Sequence, residues 1–233
     1  MSLKQAIFNW SGGKDSALAL YTVQQQQQYH IVQLLTSVNK EHQRVSMHGV
    51  RLSLLKQQSQ ALGLPLDILW LPEQTEMSDY EVNLKNSMQT LSDRGIKTSI
   101  FGDIFLEDLK AYREMQLSKV DMQAVFPLWG KPTSYVVQHF IDLGFKAIIT
   151  AVDANVIDQS FVGEIITPEL IKALPKSVDP CGENGEFHSF VFDGPNFNKT
   201  IHFKKGKIVH KTYQFQTEFG FWFCDLIPAN EPL

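Results

Sequence analysis

Short runs of β-branched and aromatic residues alternate with longer segments of helical period through the first half of the chain. Apolar runs at residues 6–10, 31–37, 66–71, 99–104 and 147–152 predict strands. Between them, apolar positions recurring every three or four residues predict helices over 15–26, 50–62, 78–94 and 106–120. Gly63, followed by Pro65, marks the end of one helix and Gly95 the end of the next, as helix stop signals do. The glutamine run 24–28 continues a helical pattern and reads as a solvated helix end. This alternation predicts an α/β fold, a parallel sheet with helices on both faces.

From Phe126 the texture changes. Pro127, Trp129, Gly130 and Pro132 interrupt the pattern, a helix is predicted over 134–143, and Pro168, Pro175 and Pro180 follow. The remainder reads as antiparallel: a strand at 187–192, a turn at Asp193-Gly194-Pro195, a strand at 200–203, a turn at Lys204-Lys205-Gly206-Lys207, a strand at 208–214 and a final aromatic strand at 219–223. The predicted division is a larger domain over 1–125 and a smaller α+β domain over 126–233.

Composition adds bounds. With 233 residues, 43% hydrophobic and 20% charged, the chain can build one large α/β domain or two modest ones. A formal net charge of -4 gives no global attraction to a phosphate backbone, so a nucleic-acid partner is not expected without a local basic patch. The stretch 202–211 carries Lys204, Lys205, Lys207 and Lys211, but lysine is also how edge strands are kept from pairing. The segment after Met1 lacks the length of a signal-peptide core and no stretch is apolar enough to span a bilayer, so a cytoplasmic protein without membrane contact is expected. Cys181 and Cys224 form no C-x-x-C pair and are expected as reduced thiols. With no second cysteine near it, Cys181 lacks the partner a sulfur carrier uses.

The chemistry is concentrated in Ser11-Gly12-Gly13-Lys14-Asp15-Ser16, between a buried-type strand and a helix. There, backbone N–H groups and the positive helix end can hold a phosphate chain. Adjacent glycines admit backbone angles denied to other residues and let phosphates approach closely. Lys14 supplies a point charge, Ser11 and Ser16 supply hydroxyls, and Asp15 suits either a helix cap or Mg2+. The spacing is neither G-x-x-x-x-G-K-[ST] nor G-x-G-x-x-G, which argues against a Walker NTPase and a dinucleotide enzyme.

The loop resembles the SGGxDS pyrophosphate loop (PP-loop) of the N-type ATP pyrophosphatases. Further motifs are Ser46-Met47-His48, Phe101-Gly102-Asp103-Ile104, Glu107-Asp108 with Tyr112-Arg113-Glu114, Pro127-Leu128-Trp129-Gly130, Gly182-Glu183-Asn184-Gly185-Glu186-Phe187-His188-Ser189 and Asp193-Gly194-Pro195. With these, nearly the whole chain is similar to the diphthine–ammonia ligase family, in its bacterial-type branch. The resemblance implies a Rossmann-like, adenine nucleotide α-hydrolase-like domain that binds ATP at the carboxyl ends of its strands, followed by an acceptor-binding domain. It implies ATP cleavage to AMP and pyrophosphate, adenylation of an acceptor carboxylate, and amidation by ammonia or another amine. In eukaryotic and archaeal members that acceptor is the diphthine carboxylate of translation elongation factor 2. Diphthamide is absent from bacterial elongation factors, so the reaction class carries over better than the acceptor. Modification of a tRNA base and non-catalytic sensing of adenine nucleotides stay open beside this reading, as does a homo-oligomeric state.

Particular residues follow from both readings. Gly102 and Asp103 sit at a strand end, where ligands of a parallel sheet bind; Asp103 suits Mg2+, an acceptor contact or a helix N-cap. Glu183, Asn184, Glu186 and His188 form a polar concentration too costly to bury without partners, so they read as a functional loop or a solvated hairpin. In the functional reading Glu186 or His188 is the base toward the amine and Asn184 orients the acceptor. His48 closes over adenine or is structural. Arg113 binds phosphate oxygens of the substrate in a two-point contact or, on a helix with Glu114 and Lys110 nearby, is a surface ion-pair partner. Trp129 packs at the domain junction, where Pro127 and Gly130 shape the chain, or stacks on the substrate.

Overall fold

The structure, a computed structural model, describes residues 3–45, 47–71, 77–215 and 217–231, with side chains throughout except at 77–80, 213–215 and 217–219. Ser46, the first residue of the Ser-Met-His motif, lies outside the described residues. Among the described residues the first sheet contains β1 (Lys4–Asn9), β2 (Tyr29–Asn39), β3 (Arg44–Val45), β4 (Leu66–Leu71), β5 (Thr98–Ile100) and β6 (Gln123–Val125). β2 lies on one side of β1 and carries β4 on its far side; β5 lies on the other side of β1 and carries β6. All these pairings are parallel; β3 alone is antiparallel, to the end of β2.

Helices α1 (Lys14–Gln26), α2 (Leu52–Leu62), α3 (Met77–Asp93) and α4 (Glu107–Ser118) connect them. The pleat of β1 explains why both faces are covered. Ala6 and Phe8 point into a core shared with Leu18, Leu20, Leu54 and Leu55 of α1 and α2. Ile7 points the opposite way, into a core shared with Met88, Leu91 and Leu117 of α3 and α4. The predicted Rossmann-like α/β sheet is therefore observed.

The second sheet consists of β7 (Lys146–Asp153), β8 (Phe187–Asp193), β9 (Phe203–Phe215) and β10 (Thr217–Pro228), in the order β8-β7-β10-β9 and antiparallel throughout. α5 (Thr133–Asp142) precedes it and α6 (Pro168–Ala173) lies between β7 and β8. The last strand of the first sheet ends at Val125 and α5 begins at Thr133, so the two sheets fall on either side of the division read at 125/126. They nevertheless share one hydrophobic cluster, in which Phe140, Ile148, Phe187 and Phe190 join Phe8 and Leu54.

Three local expectations are corrected. Residues 147–152, grouped with the parallel set in sequence, form the centre of the antiparallel sheet; burial on both faces leaves Ala147, Ile148 and Ile149 fully covered and erases the alternation that would distinguish the two. The turn expected at Lys204–Lys207 is absent. β9 runs straight through it, with a bulge where Cys224 faces Ile208 and Leu226 faces Lys205. Of the strand expected at 200–203, only Phe203 is in the ladder. Among the described residues no helix is long and apolar enough to cross a membrane.

Candidate active site

The order of the first sheet places the site. The chain moves outward from β1 through β2 to β4, then returns to the other side of β1 for β5 and β6, so the connections diverge at the carboxyl ends of β1 and β5. A crevice opens at such a switch point. The cleft there has a volume of about 530 Å³ and is walled by the loop after β1, residues 101–103 after β5, and Gly182, Glu183, Gly185 and residues 187–189 before and within β8.

The loop after β1 is held from below. Trp10, buried, donates its indole N–H to Oε1 of Gln58 at 2.9 Å. The Gln58 amide, 0% exposed, donates to the Gly12 carbonyl at 2.9 Å and to the Val191 carbonyl at 2.7 Å. Gly12 has φ +82°, a left-handed conformation that favours glycine. Ser11 and Ser16 hydroxyls lie 3.1 Å apart, and Ser16 donates to the Gly13 carbonyl at 2.9 Å. Gly13 is the N-cap of α1 and brings no side-chain oxygen to the first-turn amides, which leaves that helix end suited to an anion. Gly102 lies against it: a Cβ there would stand 3.0 Å from Ser16 N and Cα, so glycine is needed for backbone packing.

Lys14 is 3% exposed. Its ammonium donates to both Asp15 oxygens at 2.7 and 2.8 Å and to the Cys181 carbonyl, and lies over the Phe187 ring. Burial works against the charge, but Asp15 outweighs it and holds the ammonium above its ordinary pKa.

The 182–189 segment divides its carboxylates. Glu183 lines the cleft; its Oε1 accepts from the Ile104 amide at 2.6 Å, and burial, reinforced by the Asp15 charge, pushes its carboxyl up to about 7. Glu186 points away, 8% exposed, accepting from Asp179 N at 3.0 Å, Asn184 N at 3.0 Å and Asn184 Nδ2 at 2.9 Å. Neither Glu186 nor Asn184 lines the cleft, and both are spent on shaping the turn. Ser189, named in the motif but given no role by sequence, accepts from the Lys14 amide at 3.1 Å and so ties β8 to the start of α1.

His188 and His48 both line the cleft, with ring centroids 4.6 Å apart. His48 Nδ1 lies 3.2 Å from the Ser189 carbonyl, which only accepts, so Nδ1 carries the proton and Nε2 keeps its lone pair. Burial pushes His48 down to about 4 and His188 well below the ordinary histidine value. The His188 Nε2 atom is buried with no partner among the described residues, inside the cleft wall.

At the far side, Asp103 and Arg113 form a two-point ion pair, Nε to Oδ2 at 2.7 Å and Nη2 to Oδ1 at 3.0 Å, with the guanidinium over the Phe101 ring. The sequence left Asp103 open as a helix cap and Arg113 as a partner of Glu114. The N-cap of α4 is Leu106, and the partner of Arg113 is Asp103. Beyond this pair the wall turns apolar, with Leu35, Leu69, Leu84, Met88 and Leu117.

Among the described residues no three His, Cys, Asp or Glu side chains gather as a metal site. The Cys181 thiol donates to the Thr133 carbonyl at 3.2 Å, and burial pushes its pKa far up, which favours the neutral thiol. Gln58 carried no sequence signal; its role exists only because α2 passes beneath the loop.

A family model described as the diphthamide synthase N-terminal domain matches residues 4–123, and one described as the diphthamide synthase C-terminal domain matches residues 132–222. No curated protein matches the chain. With both models matched in order, over a glycine-lined phosphate loop and the cleft above it, the chain belongs to the diphthamide synthase family of ATP-utilising PP-loop enzymes.

Proposed function

We propose that the protein is an ATP-dependent ligase that adenylates an acceptor carboxylate and then amidates it. The observation that carries this reading is that Glu183 and His188 line the same cleft as the glycine loop and the start of α1. In such a site the terminal phosphates lie on the loop of Ser11, Gly12, Gly13 and Ser16, and the α-phosphorus lies toward Glu183 and His188. The apolar wall takes adenine, and the second unit, residues 126–233, presents the acceptor.

A carboxylate oxygen of the acceptor attacks the α-phosphorus and the bond to the β-phosphate bridging oxygen breaks, releasing pyrophosphate. Lys14 exchanges its Asp15 contact for pyrophosphate oxygens, which its buried, donor-only ammonium suits. An amine nitrogen then attacks the acyl carbon, the bond to AMP breaks, and a proton passes to Glu183. A carboxyl with a pKa of about 7 is matched to that step near neutrality.

Asp15 is the residue that would hold Mg2+, an ion that takes most of its ligands from phosphate and water and needs few carboxylates. Bound there, it would neutralise charge on the phosphates. Both Asp103 oxygens face Arg113, so that pair is assigned to holding the ribose or acceptor side of the cleft and not to the metal.

Incubation with MgATP, ammonium and carboxylate acceptors should yield AMP and pyrophosphate in equal amounts. ADP and phosphate, formed in the presence of a turned-over acceptor, would overturn the proposal.

A further inference from the structure

α4 carries a residue that no sequence motif singled out. Gln116 lines the cleft at its apolar end, next to Leu117 and on the same helix as Arg113, and is 9% exposed. Its Oε1 accepts from the Lys119 ammonium at 3.0 Å. An ammonium only donates, so this contact sets the orientation of the amide: the oxygen must face Lys119 and the nitrogen must face away. That nitrogen, Nε2, is buried and has no acceptor among the described residues.

A buried amide donor without an acceptor is costly, and the loss is recovered when a ligand brings the acceptor. What the cleft can admit at this point is narrow. Leu35, Leu69, Leu84, Met88 and Phe101 supply apolar surface from four different elements, with the exposed Lys85 beside Leu84, which suits a flat ring better than a charged acceptor group. A heteroaromatic ring with an unprotonated nitrogen at its edge satisfies both conditions, and adenine offers three such nitrogens.

We infer that Gln116 is a specificity-determining residue of the ATP site, donating from Nε2 to a ring nitrogen of adenine, with Lys119 acting as a positioning residue that locks the amide. The inference rests on the proposed reading of the cleft as an ATP site and adds the group that reads the base. Gln116→Leu keeps the volume and removes the donor. It therefore acts only on ligands that carry a ring nitrogen.

The test compares ATP with inorganic tripolyphosphate, which has the charge of the nucleotide and no base, by calorimetry on the full chain. Wild type should bind both. Gln116→Leu should bind ATP about 10- to 100-fold more weakly, the range for a donor that loses its acceptor, and tripolyphosphate unchanged. The melting temperature of the ligand-free variant should stay level or rise, because a buried unpaired donor has been removed; a purely structural glutamine would lower it. A second measurement needs no variant: among 1-deaza-, 3-deaza- and 7-deaza-ATP, one should bind the wild type as weakly as ATP binds Gln116→Leu. Equal ATP affinity of wild type and Gln116→Leu within twofold, or three deaza analogues that all bind like ATP, would overturn the assignment while leaving the ATP site standing. A wild type that binds neither ATP nor tripolyphosphate would instead remove the ATP site, and the role of Gln116 with it.

Discussion

Gln58 occupies the space that a side chain on Gly12 would need. A Cβ at Gly12 would stand 2.7 Å from Oε1 of Gln58, while Nε2 of the same amide donates to the Gly12 carbonyl at 2.9 Å. The phosphate loop is thus shaped from beneath by a residue 46 positions away that never touches the cleft.

Gln58→Leu should therefore destabilise the protein by about 3–5 kcal/mol, because the Trp10 indole N–H and the Val191 carbonyl both lose a buried partner. Urea denaturation measures this. Gly12→Ala should cost more than Gly63→Ala, which has the same handedness of backbone at φ +68° but nothing within 4 Å of its Cβ. Gly63→Ala isolates the backbone term of about 1 kcal/mol. Equal losses at the two glycines would show that Gln58 yields freely.

Glu183 and Glu186 should separate by the property that each controls. Glu186→Gln puts an N–H where the loop offers only N–H donors, so stability should fall by about 2–3 kcal/mol while turnover of the folded fraction is retained. Glu183→Gln can still accept from the Ile104 amide through its carbonyl, so the fold should persist while turnover falls about 100-fold. The reverse pattern in paired denaturation and AMP-release assays would return the base to Glu186.

That pair marks where the sequence stops being legible. β1, the glycine loop and α1 are readable because strand, turn and helix signals are local and agree. Two carboxylates three positions apart carry the same chemistry, and only the turn decides which faces the cleft. That turn is shaped by Gly182 and Gly185, both at positive φ, and by Asp179 and Asn184, which draw Glu186 inward. Lys204-Lys205-Gly206-Lys207 misleads for a related reason. Glycine among lysines suits a turn, and it equally suits a bulge on a solvated edge strand, where a Cβ on Gly206 would stand 3.2 Å from the Asp225 carbonyl. Gln58 and Gln116 are silent in sequence because their partners lie on other elements or in the ligand.

Stability should depend on pH with opposed contributions from His48 and Glu183. Folded His48 titrates at about 4 against 6.5 unperturbed, so between these values the unfolded chain binds the extra proton; its contribution is present above 6.5 and is lost as pH falls toward 4. His188 acts in the same direction. Folded Glu183 titrates at about 7 against 4.5, so the folded chain holds the extra proton; its contribution is present below 4.5 and is lost as pH rises to 7. Both side chains keep partial contact with water, which limits each effect to about 1–2 kcal/mol. Urea titrations from pH 4.5 to 7 should show His48→Gln reducing the loss on the acid side and Glu183→Gln reducing the loss toward neutrality. Parallel pH profiles for wild type and both variants would contradict these environments.

Lys14 should be separable into a structural and a ligand-binding role by a double-mutant cycle with Asp15. Removing either partner leaves the other charge in the wall of the cleft. Asp15 is about a quarter exposed, however, so each single change to alanine should cost only about 1–3 kcal/mol, less than for a fully buried pair. The double variant should regain part of that stability, since no charge is then left without its partner. ATP affinity should not follow. Lys14→Ala should weaken it at least about 100-fold, and the double variant should bind no better, because the phosphates lose their cation in both. Calorimetry beside denaturation reads the two roles on the same samples. Restored ATP affinity in the double variant would mean that Lys14 serves only to neutralise Asp15, and the cation for the phosphates would then have to come from elsewhere in the cleft.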